Sequence, residues 1–264
     1  MSGNVGKMND SDASLFIQVS EITGSTQRGA IVDLVKDLKT NGLWSKMKAI
    51  YPFVGGTAAT HKWNLKDPRD TNDAFRLTFT GGWTHGSNGV LPNGTNAYAD
   101  TYVVSSNHLS LNDVAVSVYI RTNTQGTYMM DLCDQDTARK IYLSSWFNVS
   151  GFGSNGVIAQ LHTSGFQGGI ANSDPRGFYL SSRTGSSAWG VYKNNSKIGT
   201  RTVTSSIDNQ PTKSILLAGN ILYSLEYSSR EQAFATIGDG LTDTDAANLY
   251  TIVQKYQTTL GRQV

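Results

Sequence analysis

Three glutamates, one cysteine and no long apolar run set the first limits on this chain of 264 residues. A single thiol, Cys133, cannot form an internal disulfide, so the fold does not depend on an oxidising compartment. Cys133 sits in the run MMDLCDQD with no histidine beside it. It reads as a buried, inert thiol rather than a nucleophile. No segment approaches 18 apolar residues, so no membrane-spanning helix is expected. The opening MSGNVGKMNDSDASLF lacks the apolar stretch of a secretory signal, and folding in a cytoplasm is expected.

Charge is also scarce. Charged residues make up 16% of the chain, where a typical domain carries about 25%. The net charge is +2, and Lys and Arg never run beyond two in a row. That is no electrostatic footprint for nucleic acid. Small polar residues fill the gap: Gly, Ser, Thr and Asn account for 101 positions. Their side chains compete with helical backbone bonds and favour turns and strands.

The chain divides into three zones. From about 10 to 50 it reads as helical. Asp10 or Ser11 can cap a short helix carrying Phe16, Ile17 and Val19. Ile31, Leu34, Val35 and Leu38 then form the stripe of a second helix, which Gly42 ends. Leu43, Trp44 and Met47 are expected to add one more turn. From about 51 to 237 short apolar or alternating runs recur between Gly, Asn, Ser and Pro clusters, among them YADTYVV, VAVSVYI, KIYLSSWF and GFYLSSR. In VAVSVYI, period two puts Val114, Val116, Val118 and Ile120 on one face. Many short strands with frequent turns predict an all-β antiparallel sandwich or jelly roll. The end of the chain reads as a helix capped by Thr242, with Asp243 and Asp245 in its first turn, a stripe from Leu249 to Leu260, and Gly261 as its stop. The expected organisation is an N-terminal helical segment at 1–50 and a β-sandwich at 51–264 that includes the C-terminal helix. Phe16, Ile17 and Trp44 could either dock on a partner or cover one face of the sheet.

Positions 81–101, GGWTHGSNGVLPNGTNAYADT, are expected to form a strand–turn–strand. Asn88-Gly89 and Asn93-Gly94 supply the turns, with Trp83 and Tyr98 packing across a sheet.

A resemblance adds to this reading. The run KMKAIYPFVGGTAATHKWNLKDPRDTNDAFRLTFTGGWTHGSNGVLPNGTNAYADT resembles a segment of bacteriophage virion proteins, and GLTDTDAANLYTIVQKYQTTLGRQV resembles their end. NGTNAYADTYV, GFYLSSRTGSSAWGVYKNN and the late helix resemble the laminin-G-like branch of the concanavalin A-like jelly rolls. The likeness runs from about residue 10 to the end. It implies a virion structural component of fibre, spike or decoration type on head or tail, oligomeric and in contact with other virion proteins; the alternative reading is a receptor-recognition module that binds host-surface glycan. It implies no cofactor, and no functional residue is carried over from it.

Catalysis is tested directly by the acidic residues. A glycoside hydrolase needs two carboxyl groups flanking one bond. Glu226 and Glu231 stand in EYSSRE at a spacing that would point them to opposite faces of a regular strand. The chain is therefore expected to be non-catalytic, with a glycan depolymerase as the remoter alternative. Asp131, Asp134 and Asp136 form the densest acidic cluster, a weak calcium candidate that reads better as a solvated turn. The four histidines, at 61, 85, 108 and 162, lack local zinc spacing. No GxSxG elbow is present, though a Ser-His-Asp triad assembled through space stays open. Glycan binding needs a flat aromatic with amides around it. Phe152, Phe166, Trp83 and His85 are the candidates for glycan or assembly contacts, whereas Trp146 and Trp189 fit strand positions in the core.

Overall fold

The structure, a computed structural model, describes residues 10–136, 140–148, 155–163, 168–221 and 226–264. Two antiparallel sheets face each other. The first has eight strands. Across it run Ser196–Arg201, Trp189–Lys193, Gly177–Arg183, Val114–Ile120, Gln232–Gly238, Gly89–Pro92 and Trp83–Gly86; Met47–Tyr51 also pairs with Gln232–Gly238. The second has seven, in the order Ile170–Ala171, Gly156–Leu161, Ile141–Phe147, Leu132–Asp134, Ser214–Leu217, Tyr98–Val104 and Thr78–Thr80. The runs YADTYVV, VAVSVYI and GFYLSSR form strands over their whole lengths.

Three helices cover the outer face of the eight-stranded sheet. Ser11–Val19 is capped by Asp10, whose carboxylate accepts from the Asp12 and Ala13 N–H groups. Ser25–Thr40 follows, with Gly42 just beyond it. Asp243–Thr259 begins with a capping box in which the Thr242 and Asp245 side chains take each other's backbone N–H. The extra turn expected at 43–47 is a short 3-10 turn, Trp44–Lys46, and Met47 already belongs to a strand.

This arrangement explains why VAVSVYI is buried at all seven positions. Val114, Val116, Val118 and Ile120 enter the core between the sheets. Ala115 and Tyr119 enter the second core, under the helices. Ser117 lies on the helix-facing side and bonds the Thr236 hydroxyl on the neighbouring strand at 2.6 Å. Alternation on this strand thus separates two apolar environments rather than core from water. Phe16 and Ile17 are buried in the helix-side core with Trp44 packed against it, so these side chains cover the sheet.

The stretch from 81 to 101 departs from the expectation. Trp83–Gly86 pairs with Gly89–Pro92 through a two-residue loop, Ser87-Asn88. Tyr98, however, belongs to the other sheet. Trp83 and Tyr98 are not cross-strand neighbours; the strand opposite Trp83 presents Pro92. Two glycines make the geometry possible. Gly89 has φ +131°, and a Cβ there would lie 2.2 Å from the Gln232 carbonyl oxygen. Gly81 has φ +81° and would meet the Asn96 carbonyl oxygen at 2.2 Å as the chain crosses between sheets.

Candidate functional site

The crossing at Gly81-Gly82 gathers aromatic rings at one edge of the sandwich. Phe79 lies on the edge strand of one sheet, and Trp83 and His85 lie on the edge strand of the other. The Phe79 ring meets Trp83 edge-on at 5.1 Å and His85 at 4.7 Å. The Trp83 indole N–H donates to the Thr80 carbonyl at 2.9 Å. Behind them stands His61, 24 residues away in sequence, with its Nδ1 3.0 Å from that of His85. The Gly56 N–H donates to His61 Nε2 at 3.1 Å. His61 therefore carries its proton on Nδ1 and donates it to His85 Nδ1, which leaves the His85 proton on Nε2. Burial, then His85 and Arg262, push the His61 pKa down to about 3; burial lowers that of His85. Both rings are neutral at pH 7. Sequence spacing gave no signal for this pair. Trp83 and His85 are brought together as packing partners, each half-buried.

The acidic cluster is not a solvated turn. Asp131 and Asp134 are fully buried. Asp131 forms an ion pair with Arg230 at 2.9 Å, both side chains fully enclosed. It also accepts from the Ser145 N–H and hydroxyl, both at 2.7 Å, and from Ser228 at 3.0 Å. Asp134 accepts from the backbone N–H groups of Ile141 and Asp136, while burial raises its pKa to about 6. Asp136 turns away to the Thr212 N–H at 2.8 Å. These oxygens are spent on the protein itself. Among the described residues no group of three His, Cys, Asp or Glu side chains could hold a metal.

The glutamates also differ from the strand frame. Neither lies on Gln232–Gly238. Glu226 is buried, and Glu231 pairs with Arg121 at 2.6 Å. A serine–histidine contact does assemble through space. Ser105 Oγ lies 2.7 Å from His162 Nε2, and His162 Nδ1 donates to the Leu111 carbonyl at 2.8 Å. The third partner is thus a backbone carbonyl, not a carboxylate. Ser105 and His162 are both 0% exposed, which bars a substrate from the hydroxyl. Burial lowers the His162 pKa to about 4, so this is a neutral, internally satisfied hydrogen bond.

Two hollows remain. One, of about 350 Å³, opens between the first two helices over Ile17 and Val32, with Arg28 and Asp33 on its rim. Among the described residues no aromatic side chain lines it. The other, of about 340 Å³, is a shallow cleft at the far edge of the seven-stranded sheet, lined by Gln125, Trp146, Asn155, Ala171, Asn172 and Ser173. None of these residues is charged. Trp146 is 7% exposed and sits on a strand as expected, but it also borders the cleft. Asn172 is held rigidly: its amide donates to the Ser145 carbonyl at 2.7 Å and the Tyr179 hydroxyl at 2.9 Å, and its oxygen accepts from Lys193 at 2.8 Å. Gln125, an exposed residue, donates its side-chain amide to the Ser173 carbonyl at 2.7 Å. Phe152 and Phe166, expected to make exposed contacts, lie outside the described residues. The amide residues were missed from sequence because Gln125 and Asn172 lie in different connecting segments, with no motif linking them.

No family model matches the chain, and no curated protein is significantly similar in sequence. Solved structures do share its architecture. Trypanosoma rangeli sialidase in complex with a 2,3-difluoro-KDN superposes with a TM-score of 0.52 at 8% identity, over 84% of this chain and 39% of that one. The same sialidase in complex with 2,3-difluorosialic acid gives 0.51 at 9% identity, over 84% and 38%. Domain 4 of the Geobacillus stearothermophilus arabinanase AbnA, in complex with arabinotriose, gives 0.48 at 14% identity, over 78% and 98%. The chain spans about two fifths of the sialidases' length. At such identities the likeness is one of fold: this protein is an antiparallel β-sandwich of the jelly-roll kind, with helices laid over one sheet.

Proposed function

We propose that the protein is a non-catalytic glycan-binding module. The observation that carries this reading is the cleft whose described lining brings together Trp146, three amide residues and a serine, with no charged residue among them. An indole edge offers apolar contact to a sugar ring, and amides offer both donors and acceptors to its hydroxyls. The fold is compatible with this role, since the sialidases that share it are complexes with sialic-acid analogues, but fold alone does not grant function. The absence of catalysis is part of the proposal. It is supported by the commitment of Asp131 to Arg230 and of Glu231 to Arg121, and by the enclosure of Ser105 and His162.

The setting comes from the resemblance of 46–101 and 240–264 to phage virion proteins. In that setting the chain is a fibre, spike or decoration component, assembled as a homo-oligomer among other virion proteins and presenting its cleft to host-surface glycan. Incubating the purified protein with host cells and extracted envelope glycans tests both halves. Retention without released oligosaccharide is expected. Released fragments would overturn the non-catalytic reading. A folded, oligomeric protein that is not retained would leave a purely structural virion role in place of glycan binding.

A further inference from the structure

We infer that the cleft selects neutral saccharides and rejects those bearing carboxylate or sulfate groups. This rests on the glycan-binding reading above and narrows it to a ligand class. The reasoning starts from where the nearby charges point. Lys193 Nζ donates to Asn172 Oδ1 at 2.8 Å and to the Asp174 carbonyl at 2.6 Å. Its ammonium lies 5.6 Å from the centre of the Tyr179 ring. Arg176 forms a fork on the Asp174 carboxylate, with contacts of 2.8 and 3.0 Å. Arg230, behind Trp146, is fully buried on Asp131 and on the Thr124 and Trp146 carbonyls. Each of these three cations thus donates to oxygens of the protein itself.

An anionic sugar entering the cleft would lose hydration and would have to compete with these partners for a cation. Desolvating a carboxylate is costly unless it is paired, and recognition of one typically uses an open guanidinium fork. Sugar hydroxyls have no such requirement. They can donate to the Gln125 side-chain oxygen and exchange hydrogen bonds with the Asn155 amide and the Ser173 hydroxyl. Asn172, fixed by Ser145, Tyr179 and Lys193, holds the wall in place before a ligand arrives.

The same geometry identifies Asp174 as the residue that keeps anions out. Its carboxylate neutralises Arg176, so Asp174→Asn would release that guanidinium beside the cleft while keeping the shape of the side chain.

The test uses the full chain, fluorescently labelled, on immobilised oligosaccharides: neutral hexose and N-acetylhexosamine chains against sialylated and uronic-acid chains of equal length. Neutral probes are expected to retain the protein at least about tenfold better. Gln125→Ala and Asn155→Ala, both at exposed positions, are expected to weaken that signal by about 2- to 10-fold, the range of one hydrogen bond. Asp174→Asn is expected to raise retention on acidic probes and to leave neutral probes within about twofold. Equal or stronger retention of the unaltered protein on acidic probes overturns the selectivity and leaves glycan binding intact. Neutral retention indifferent to Gln125→Ala and Asn155→Ala overturns the cleft as its site. No retention on any probe removes the proposed function, and this inference with it.

Discussion

At the scale of single residues, the most consequential side chains are arginines hidden in the interior. Arg183, Arg230 and Arg262 are the largest of the fully buried side chains. Each spends much of its planar set of donors on backbone carbonyls. Arg262, two residues before the described end, binds the carbonyls of Pro52, Phe53 and Ala233 at 2.7 to 2.9 Å and the Gln257 side chain at 2.6 Å. Arg183 reaches from one sheet to the Leu161 carbonyl of the other at 3.0 Å. Arg230 differs in having a buried carboxylate as well. Replacing it with methionine would strand Asp131 without a counter-charge, and Arg230→Met should cost about 3–5 kcal/mol. Removing both charges together, as Asp131→Leu with Arg230→Met, should recover a large part of that loss. Urea midpoints of the two variants provide the check; a double variant as unstable as the single one would contradict the electrostatic account.

At the scale of elements, the features that local sequence controls were readable. The helix caps at Asp10 and Thr242 are contacts within three residues, and the stripes they precede repeat every turn. Thr242→Ala removes one half of the capping box and should lower stability by about 1 kcal/mol, seen as a drop in melting temperature. Leu249 lies in the same helix at 0% exposure, over the sheet. Leu249→Ala should cost more, about 2–5 kcal/mol, because it opens a cavity between layers. A smaller loss for Leu249→Ala than for Thr242→Ala would show that the helix is held by its end rather than by its face. Strand partners were not readable in the same way. Val114–Ile120 lies between Gly177–Arg183 and Gln232–Gly238, partners separated from it by dozens of residues. The error over Trp83 and Tyr98 has the same origin. The two turn signals were correct as turns, but nothing local tells a chain that the second turn carries it into the other sheet.

At the scale of the whole molecule, buried titratable groups couple stability to pH. His61 and His162 have pKa values lowered to about 3 and about 4, mainly by burial. Below pH 6.5 the unfolded chain protonates both, and the folded chain does not. Stability is therefore fully present above that pH and falls as pH drops, by up to about 1.4 kcal/mol per unit for each group. Asp134 acts in the opposite sense. Its pKa is raised to about 6, so between there and 3.8 the folded state binds a proton that the unfolded state leaves. It offsets about one of the two histidines. A net loss of about 3 kcal/mol is expected between pH 6.5 and 4.5, measurable as a falling urea midpoint. Asp134→Asn should steepen that fall, whereas an unchanged slope would show that its carboxylate is not the opposing group.

The sequence by itself determined the all-β class, the two terminal helical zones, the caps that start them and the burial of Cys133, because each depends on local propensity or on a short repeat. Tertiary structure alone decided which strands share a sheet and that both faces of the eight-stranded sheet are covered. It also decided that His61 meets His85, that Asp131 meets Arg230, and that Gln125 and Asn172 border one cleft with Trp146. The physical reason is common to all of these. Small polar residues are spread so evenly along the chain that their composition marks turns everywhere and sites nowhere. An amide becomes a binding group, or a carboxylate a buried ion pair, only when the two sheets close and set its surroundings.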